Sequence, residues 1–556
     1  MKLLFCSIFV GLLVGVNQAQ EPGFSKFAVA TVQPLASDAA LAAYEKGGNA
    51  VDAAIAAALT LGVVDGHNSG IGGGCFIVIR AADGRLSALD GREMAPAKAH
   101  RDMYLIQGKV DDEASKTGAL ASGIPGALRA YDLALKKYGK LTLADLLRPA
   151  ADLAEKGFLL DEVYARKLAA TVEKLRLFPA SAAIYLKADG SPLQKGDRLI
   201  QKDLAKTYRA IADQGLGWFY GGEFAQKTEA WMAVHGGIST IADFVNYKPL
   251  EREPIRSSYR GYDLVCMPPP SSGGVHVAQI LNIMEHFPIR HFRASSRIHV
   301  VTEAMKQAFA DRAYWLGDPD FAPVPRGLVD KEYAAELAEK IDLDHSSSVP
   351  SHNTPPHWEG DIFGKHTTHL STADVEGNWV ALTQTINTAF GSKVVIPGTG
   401  VLLNNQMDDF SVQPGVPNAF KLIGAEANAI APGKRPLSSM SPTLVFKEGK
   451  PWLTVGAAGG PTIITQTLLL ISHVMDDGMA PNAALAEPRF HHQWNPDELK
   501  IEKTFDASTL KRVEALGHKL DKSSGFGACQ AIQWDDARKL LVPAHDPRIP
   551  GKASGL

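Results

Sequence analysis

Residues 367–385, TTHLSTADVEGNWVALTQT, contain the pattern that decides the fold class. Two β-favouring runs flank the short segment VEG, an arrangement typical of a β-hairpin. If the turn centres on Glu376, Thr367 lies opposite Thr385, and directly opposed side chains in a ladder are about 5 Å apart. The sequence therefore predicts an antiparallel hairpin with a pair of threonines at its open end.

Similar patterns recur along the chain. Hairpins are predicted at 75–90, 443–456 and 529–542, where turn residues separate apolar runs. Helical patterns cover 36–64, with a break at Gly47, and begin again at Pro461. Antiparallel hairpins interleaved with helices favour an α+β layered fold over a parallel sheet.

The composition is that of an ordinary globular protein and excludes several function classes. The 556 residues are 45% hydrophobic and 21% charged, enough to bury a large core. With 57 Lys+Arg against 60 Asp+Glu and no long basic run, nucleic acid and anionic membranes are poor candidates as the main partner. Cys75, Cys266 and Cys529 form no C-x-x-C motif, so they predict neither a disulfide framework nor a zinc site. The sequence has no signature of a metal or an organic cofactor, and we expect neither.

The N-terminus has the features of a secretory signal. Lys2 precedes an apolar stretch over 3–16, and the small residue Ala19 follows it. This pattern predicts a signal peptide over residues 1–19. The alternative is a membrane anchor, but the apolar stretch is short for a span. We therefore expect export without a stable membrane anchor, to the periplasm of a Gram-negative source or to the extracellular space.

Two segments have compositions that suggest ligands but fit other interpretations better. The glycine-rich turn over 69–74 precedes a strand, whereas a phosphate-binding loop follows a strand and opens a helix. Residues 345–366 are rich in Ser, Pro, His and Gly, and their histidine spacing matches neither a helix face nor a strand face. A flexible, exposed segment is therefore favoured there over a metal-binding tract.

Thr367 is the first candidate for chemistry. A threonine hydroxyl is a weak nucleophile that needs an adjacent base. If the chain were cut before Thr367, its own α-amine, with a pKa of about 7.7–8, would supply that base. The simpler interpretation is that Thr367 is a β-branched residue at the start of a strand, and spacing alone favours this interpretation.

Two further groups are candidates for binding. Gly459 and Gly460 precede a helix, where backbone N–H groups favour developing negative charge, although a plain strand-to-helix turn fits equally well. Asn387 and the loops over 404–410 and 435–443 could, with a distant arginine, bind an amino-acid head group. Arginine and hydroxyl groups suit its carboxylate, whereas Asp and amide oxygens suit its ammonium.

Taken together, the motifs make this chain similar to the γ-glutamyltransferases, also called γ-glutamyl transpeptidases or glutathione hydrolases. In chain order they are NSGIGGG, DGREMAPAKA, MPPPSSGGVH, LGDPDF, TTHLSTAD, TQTINTAFG, LLNNQMDDFS, KRPLSSMSPT and PRFHHQWNPDEL. The resemblance covers about residues 28–548. It implies a four-layer αββα sandwich of the N-terminal nucleophile hydrolases. It also implies a precursor that cuts itself between His366 and Thr367 into a heterodimer, with a large subunit over 20–366 and a small catalytic subunit over 367–556.

The resemblance also implies residue roles. The Thr367 hydroxyl would attack the carbonyl of His366 and later the γ-glutamyl carbonyl of glutathione or a related compound. The freed amine would act as general base, and the threonyl ester would pass to water or to an amino-acid or dipeptide acceptor. The other implied positions are Thr385 for orienting the nucleophile, Gly459 and Gly460 for the oxyanion, Arg92, Ser438 and Ser439 for the substrate α-carboxylate, and Asn387, Gln406 and Asp409 for its α-amine.

One segment departs from the family pattern. Residues 414–434 resemble the lid loop of bacterial members, with Phe420 where tyrosine is common. We expect this lid to exclude large acceptors.

Three alternatives remain open. Two are a β-lactam side-chain acylase and a poly-γ-glutamate depolymerase, both of the same fold, and the third is an unprocessed binding protein. Arg92, Asp409 and the two serines favour a substrate with a free α-amine and a free α-carboxylate. The presence of Thr367, Thr385 and the two glycines disfavours the inactive homologue.

Overall fold

The structure is a computed structural model that describes residues 21–361, 363 and 371–556. The predicted signal peptide over 1–19 lies outside these ranges, and so do the predicted cleavage residues His366 and Thr367. In the described part of the chain, no helix is both long enough and apolar enough to span a membrane.

The described residues form twenty strands and sixteen α-helices. The strands are β1 (Phe27–Thr31), β2 (Gly74–Arg80), β3 (Leu86–Gly91), β4 (Leu105–Ile106), β5 (Lys109–Val110), β6 (Phe158–Leu159), β7 (Arg198–Leu199), β8 (Leu250–Arg252), β9 (Ile255–Tyr259), β10 (Tyr262–Cys266), β11 (Ser371–Asp374), β12 (Trp379–Thr385), β13 (Thr443–Lys447), β14 (Lys450–Ala458), β15 (Phe490–His491), β16 (Leu499–Glu502), β17 (Leu520–Ser523), β18 (Ala528–Asp535), β19 (Leu540–His545) and β20 (Lys552–Gly555). The helices are α1 (Pro34–Glu45), α2 (Ala50–Val64), α3 (Ala127–Tyr138), α4 (Leu143–Lys156), α5 (Glu162–Leu175), α6 (Pro179–Tyr185), α7 (Lys202–Gln214), α8 (Gly217–Tyr220), α9 (Glu223–Val234), α10 (Ile241–Asn246), α11 (Gly273–Met284), α12 (Ala294–Trp315), α13 (Lys331–Glu339), α14 (Thr462–Asp476), α15 (Pro481–Ala486) and α16 (Ala507–Ala515).

Two antiparallel sheets organise the described residues. One has seven strands in the order β20-β1-β11-β12-β2-β3-β8, and the other has six in the order β19-β18-β14-β13-β10-β9. The sheets contact each other through β12 and β14 and through β11 and β18. Helix α2 packs against β11 and β12, whereas α11 contacts β10 and α14 contacts β14. The predicted mixed fold with antiparallel sheets is confirmed.

The central hairpin has the predicted register. Thr372 pairs with Val380 and Ala373 pairs with Trp379, so the ladder is centred on Glu376. The hairpins β2–β3, β13–β14 and β18–β19 are also present where the turn chemistry predicts them. Turn residues and side-chain alternation are local signals, which explains why the sequence specifies these pairings well.

Hydrogen bonds fix the central hairpin to the helix beneath it. Asn49 and Asp52 form a capping box at the N-terminus of α2. The first backbone N–H of that helix, at Ala50, donates to Asp374 Oδ2 at 3.0 Å, and Thr372 Oγ1 donates to the Ala50 carbonyl at 2.5 Å. These two hydrogen bonds fix the position of β11 relative to the N-terminus of α2.

The described part of the predicted flexible segment, 345–361, is mostly exposed but is tied to the body by side chains. Lys306 Nζ donates to Ser346 Oγ at 2.7 Å, and Asp311 Oδ1 accepts the Asn353 N–H at 2.7 Å. The Trp315 indole also donates to the Asn353 carbonyl at 2.8 Å. Residues 346–353 are thus attached to α12, which the composition of the segment did not predict.

Candidate active site

The glycine-rich turn over 69–74 brings a strand end close to the loop that follows it. A Cβ on Gly73 would lie 2.0 Å from the Thr385 carbonyl, and one on Gly72 would lie 2.0 Å from that of Leu402. Only glycine permits backbones to approach this closely. The turn therefore packs closely against the backbone that follows β12 and positions the end of that strand.

Thr385 and Asn387 lie next to each other at this strand end. Thr385 Oγ1 accepts the backbone N–H of Asn387 at 2.7 Å. Asn387 has φ +78° and directs its Nδ2 to the Asn405 carbonyl at 2.9 Å. This hydrogen bond joins the end of β12 to the 3-10 turn over Gln406–Asp409.

Arg92, which follows β3, is fully buried and forms the centre of the predicted head-group site. Its Nη2 donates to Asp409 Oδ2 at 2.5 Å and to the Leu437 carbonyl at 3.0 Å, and its Nε donates to the Pro436 carbonyl at 3.0 Å. Gln406 Nε2 donates to the same Asp409 oxygen at 2.7 Å. The charge of Arg92 is therefore balanced within the protein by Asp409.

Asp408 and Asp409 are adjacent in the sequence but have different partners. The Asp408 carboxylate accepts from the Ser115 hydroxyl at 2.7 Å and from the Ala419 N–H at 3.0 Å. It therefore holds the predicted lid rather than facing Arg92. Of the two, Asp409, to which the resemblance assigns the head-group role, is the one that contacts Arg92.

Glu93 is a buried acid that sequence reasoning missed. Its Oε2 lies 3.5 Å from Arg92 Nη1, and its Oε1 has no hydrogen-bond partner among the described residues. Burial raises the pKa of Glu93 to about 7, although the charge of Arg92 opposes that shift. Its position directly after Arg92 is the only sequence signal that could have identified it.

Ser438 and Ser439 are held by the Pro-rich loop that precedes α11. Ser272 N–H and Ser272 Oγ both donate to the Ser438 carbonyl, each at 2.8 Å, and Ser438 N–H donates to the Pro270 carbonyl at 2.8 Å. Hydrogen bonds that involve the backbone therefore join the motif MPPPSSGG (267–274) to the motif RPLSSMS (435–441). They fix the backbone that carries the hydroxyls of Ser438 and Ser439.

Arg312 on α12 is a second residue that sequence reasoning missed. Its Nε donates to Ser272 Oγ at 2.9 Å and its Nη2 donates to Ser439 Oγ at 3.2 Å. The available signal was a cation near the end of a helix that is otherwise almost entirely buried. Burial lowers the pKa of Arg312 to about 10, so the guanidinium keeps its charge at neutral pH.

Gly459 and Gly460 connect β14 to α14 and have φ values of +134° and +61°. In the described part of the chain, neither backbone N–H donates a hydrogen bond. A Cβ on Gly459 would lie 2.7 Å from Thr462 Oγ1, so only glycine fits this turn. Free N–H groups beside a helix N-terminus suit a developing negative charge.

Phe420 lies directly against this turn. A Cβ on Gly460 would be 2.7 Å from the Phe420 ring. The lid is also tied to the head-group site, because Asn428 Nδ2 donates to the Asp409 carbonyl at 2.7 Å and Asn428 Oδ1 accepts the Leu437 N–H at 3.0 Å. The predicted lid thus contacts both the glycine turn, through Phe420, and the head-group residues, through Asn428.

The described residues contain one group with the composition of a metal site. The ligand atoms of His299, Glu303 and His518 lie within 4.8 Å of one another. Lys306 Nζ lies 2.8 Å from Glu303 Oε1, and His299 Nδ1 and His518 Nε2 form a 2.8 Å hydrogen bond. These contacts already satisfy the polar atoms. Glu303 is nine residues from Arg312 on α12, about 13 Å along the helix axis.

The predicted residues that the structure describes therefore come together. Hydrogen bonds connect Thr385 through Asn387 and Asn405 to the turn that carries Gln406 and Asp409, and Arg92 connects Asp409 to the segment before Ser438. Phe420 brings the lid against Gly460. Thr367 and His366 lie outside the described residues.

Known proteins are similar to this chain over most of its length. A family model described as gamma-glutamyltranspeptidase matches residues 36–556. The glutathione hydrolase proenzyme of Escherichia coli (strain K12) is 45% identical over 525 residues, which cover 94% of this chain and 90% of the relative. The acylase ACY 1 proenzyme of Pseudomonas sp. (strain SE83) is 38% identical over 525 residues, which cover 92% of this chain and 90% of the relative.

Solved structures are similar as well. Cephalosporin acylase from Bacillus halodurans has a TM-score of 0.87 at 29% identity, and the similarity covers 99% of both chains. A chain of the gamma-glutamyltranspeptidase from Helicobacter pylori has a TM-score of 0.56 at 40% identity, covering 59% of this chain and 95% of that one.

Proposed function

Because the chain belongs to the gamma-glutamyltranspeptidase family, we propose that it is an exported, self-cleaving γ-glutamyltransferase and glutathione hydrolase. The observation that carries this proposal is that buried Arg92 and Gln406 both donate to Asp409 close to two serine hydroxyls. These groups match an amino acid that keeps both its α-carboxylate and its α-amine. The γ-glutamyl group of glutathione is such an amino acid.

The hairpin register supports Thr367 as the nucleophile. Continuing the ladder of β11 and β12 outward from Thr372 and Val380 would set residue 367 opposite Thr385. A cavity of about 140 Å³ is lined by Ser371 and, among other residues, by side chains of β1, β12, β14 and β18.

The proposed maturation is an intramolecular acyl transfer. The Thr367 Oγ attacks the His366 carbonyl carbon, the peptide C–N bond breaks, and the hydroxyl proton passes to the Thr367 nitrogen, which becomes a free amine. Water then hydrolyses the resulting ester, which frees the Thr367 hydroxyl and divides the chain into a large subunit of 20–366 and a small subunit that begins at Thr367. The word proenzyme in the relatives' names supports such a step.

The proposed catalytic cycle uses the same hydroxyl. The Thr367 amine takes the hydroxyl proton as Oγ attacks the γ-glutamyl carbonyl, and the Gly459 and Gly460 N–H groups stabilise the oxyanion. Collapse expels the amine of the leaving peptide, which takes the proton, and leaves a γ-glutamyl ester. Water or the amine of an amino acid or dipeptide then attacks the ester and regenerates the hydroxyl.

The contacts between the sheets and the helices support the four-layer αββα arrangement of N-terminal nucleophile hydrolases. The sheets face each other, α2 lies on one outer face, and α11 and α14 lie on the other. The large and small subunits would stay together because β11 and β12 of one pair with β1 and β2 of the other. These backbone hydrogen bonds do not depend on the peptide bond between His366 and Thr367, so they would hold the two subunits together after cleavage.

A β-lactam side-chain acylase is the second candidate, because both an acylase relative and an acylase structure are similar to the chain. A site that balances Arg92 with Asp409 and Gln406 favours a zwitterionic amino-acid head group over a simple dicarboxylic acyl chain. Comparing kcat/KM for a γ-glutamyl anilide and a glutaryl anilide distinguishes the two, since the glutaryl group lacks the α-amine. A preference for the glutaryl substrate would favour the acylase.

The first experiment is the intact mass of the purified protein under denaturing conditions. Scaling 59.6 kDa over 556 residues predicts chains of about 37 and 20 kDa, the smaller beginning at Thr367, as release of the nucleophile requires. Thr367→Ala is expected to stay uncleaved and inactive, whereas Thr367→Ser keeps a hydroxyl and serves as the control. Normal cleavage of Thr367→Ala would refute the mechanism.

A further inference from the structure

Arg312 differs from the other buried arginines of the described chain. Five arginines are at most 5% exposed there, namely Arg92, Arg252, Arg312, Arg435 and Arg489. Four of them contact a carboxylate, which is Asp409 for Arg92, Asp90 for Arg252 and Arg435, and Asp546 for Arg489. Arg312 has no carboxylate of the described residues within ion-pair distance.

The nearest acid in the sequence does not neutralise Arg312. The Asp311 carboxylate accepts hydrogen bonds from Gln279, Tyr333 and Asn353, on another side of α12. Asp409, which belongs to the same site, is already bonded to Arg92 and Gln406. A buried charge without an ion-pair partner is costly, so a guanidinium bonded, among the described residues, only to hydroxyl groups beside a candidate binding site indicates an anionic ligand.

The contacts of Arg312 also determine how Ser439 can act. A guanidinium only donates hydrogen bonds, so Ser439 Oγ must accept the bond from Arg312 Nη2. The Ser439 hydroxyl hydrogen is then directed to a different acceptor. Ser438 Oγ likewise accepts from the Met440 N–H at 3.2 Å, which leaves its own hydrogen free.

We propose that Arg312 is a positioning residue that makes Ser439 an obligatory donor to the substrate α-carboxylate and supplies the positive charge that this carboxylate neutralises. The inference rests on the proposed function and deepens it. Arg92 carries a charge that Asp409 balances, so it orients the head-group site without adding net charge. Arg312 gives the site a positive charge that no carboxylate of the described chain balances within ion-pair distance. It acts through the Ser439 hydroxyl, which it holds in one orientation.

The test is a double-mutant cycle with Arg312→Lys and Ser439→Ala in the cleaved protein. Lysine keeps the charge but cannot donate to Ser272 and Ser439 with the geometry of a planar fork. Arg312→Lys is expected to raise the KM for a γ-glutamyl anilide about 10- to 100-fold, the range for hydrogen bonds to charged groups, and to leave kcat within about threefold. In the Ser439→Ala background the same change is expected to raise KM less than about threefold, because the group it positions is gone.

Arg297→Lys is the matched control, since Arg297 lies on the same helix and bonds Asp477 and Ser472 instead. It should leave KM unchanged. Self-cleavage, read as the intact mass, should proceed in Arg312→Lys, because maturation does not use the head-group site. An equal rise in KM with and without Ser439, or a fall in kcat with unchanged KM, would overturn the inference.

Calorimetric titration with L-glutamate separates this inference from the proposed function. Weaker glutamate binding by Arg312→Lys than by wild type, about tenfold or more, supports the inference even if the wild-type protein turns over no γ-glutamyl donor. That combination would refute the proposed function alone. Equal glutamate binding by the two proteins, together with wild-type turnover of the donor, would refute the role of Arg312 alone.

Discussion

The candidate active site has two halves, one formed by side chains and the other by backbone N–H groups. The head-group half consists of side chains held by hydrogen bonds, in which Arg92 donates to the slightly exposed Asp409 and Arg312 donates to Ser439. The glycine half, at Gly459 and Gly460, consists of backbone N–H groups with no hydrogen-bond acceptor among the described residues. Binding the substrate head group needs side chains that are already held in position. Stabilising the oxyanion of the transition state needs N–H donors that bond no other acceptor before the reaction.

The largest effect is expected in the glycine half, from Gly459→Ala. The φ of +134° is strained for any side chain, and the new Cβ would meet Thr462 Oγ1, so the N–H groups must move. We expect kcat to fall about 100-fold or more with little change in KM, as for loss of an oxyanion donor. Gly449→Ala, at φ +74° in an open hairpin turn, is the control for strain alone. An equal fall in kcat in Gly459→Ala and Gly449→Ala would mean that Gly459 has no catalytic role.

The head-group half should respond through binding. Arg92→Ala removes the partner of Asp409 and the donor to two carbonyls, so KM for a γ-glutamyl donor should rise about 100-fold. Leaving Asp409 without its partner should also lower the free energy of unfolding by about 3 kcal/mol. Steady-state kinetics and thermal melting measure the two effects. Arg85→Ala removes an exposed arginine that bonds Asp83, and it should alter neither. An unchanged KM in Arg92→Ala would contradict the assigned site.

The lid connects the two halves, and Phe420 tests whether it limits acceptor size. Deletion of 418–428 would also remove Asn428, which bonds the Asp409 carbonyl, so Phe420→Ala is the sharper change. We expect kcat/KM for a bulky dipeptide acceptor, relative to a small one, to rise about tenfold. Lys421→Ala alters the exposed neighbouring side chain and is the control. If the ratio does not change, the lid does not select acceptors.

The head-group half should also show a pH dependence, measured as a shift of a few degrees in the thermal midpoint. Burial raises the pKa of Glu93 from 4.5 to about 7. Its contribution to stability is therefore complete below about pH 4.5 and is lost as the pH rises through about 7, a change of about 3 kcal/mol. Glu93→Gln stays neutral and should lack this loss.

Thermal midpoints at pH 5 and pH 8 measure this difference. The midpoint of wild type should fall by a few degrees more than that of Glu93→Gln. Glu514→Gln, at an exposed position, should behave like wild type. Parallel pH profiles for wild type and Glu93→Gln would show that the pKa of Glu93 is not raised in the folded protein.

Much of the fold could be predicted because its signals are local. The register of β11 and β12 follows from the turn at Glu376 and from side-chain alternation. The break between α1 and α2 follows from Gly47 and the capping residues at Asn49 and Asp52. The anchoring of 346–353 could not be predicted, because its hydrogen-bond partners lie on α12 and its own composition resembles a free loop.

The sequence by itself determined the hairpins, the family motifs and the residue types of the site, since each is specified within a short stretch of chain. Only the tertiary structure decided which of two adjacent aspartates faces Arg92, and that Arg312 lies beside Ser439 with no acid to balance it. These partners are more than 100 residues apart in the chain. Their pairing depends on how two sheets and their helices pack, and no local pattern encodes that.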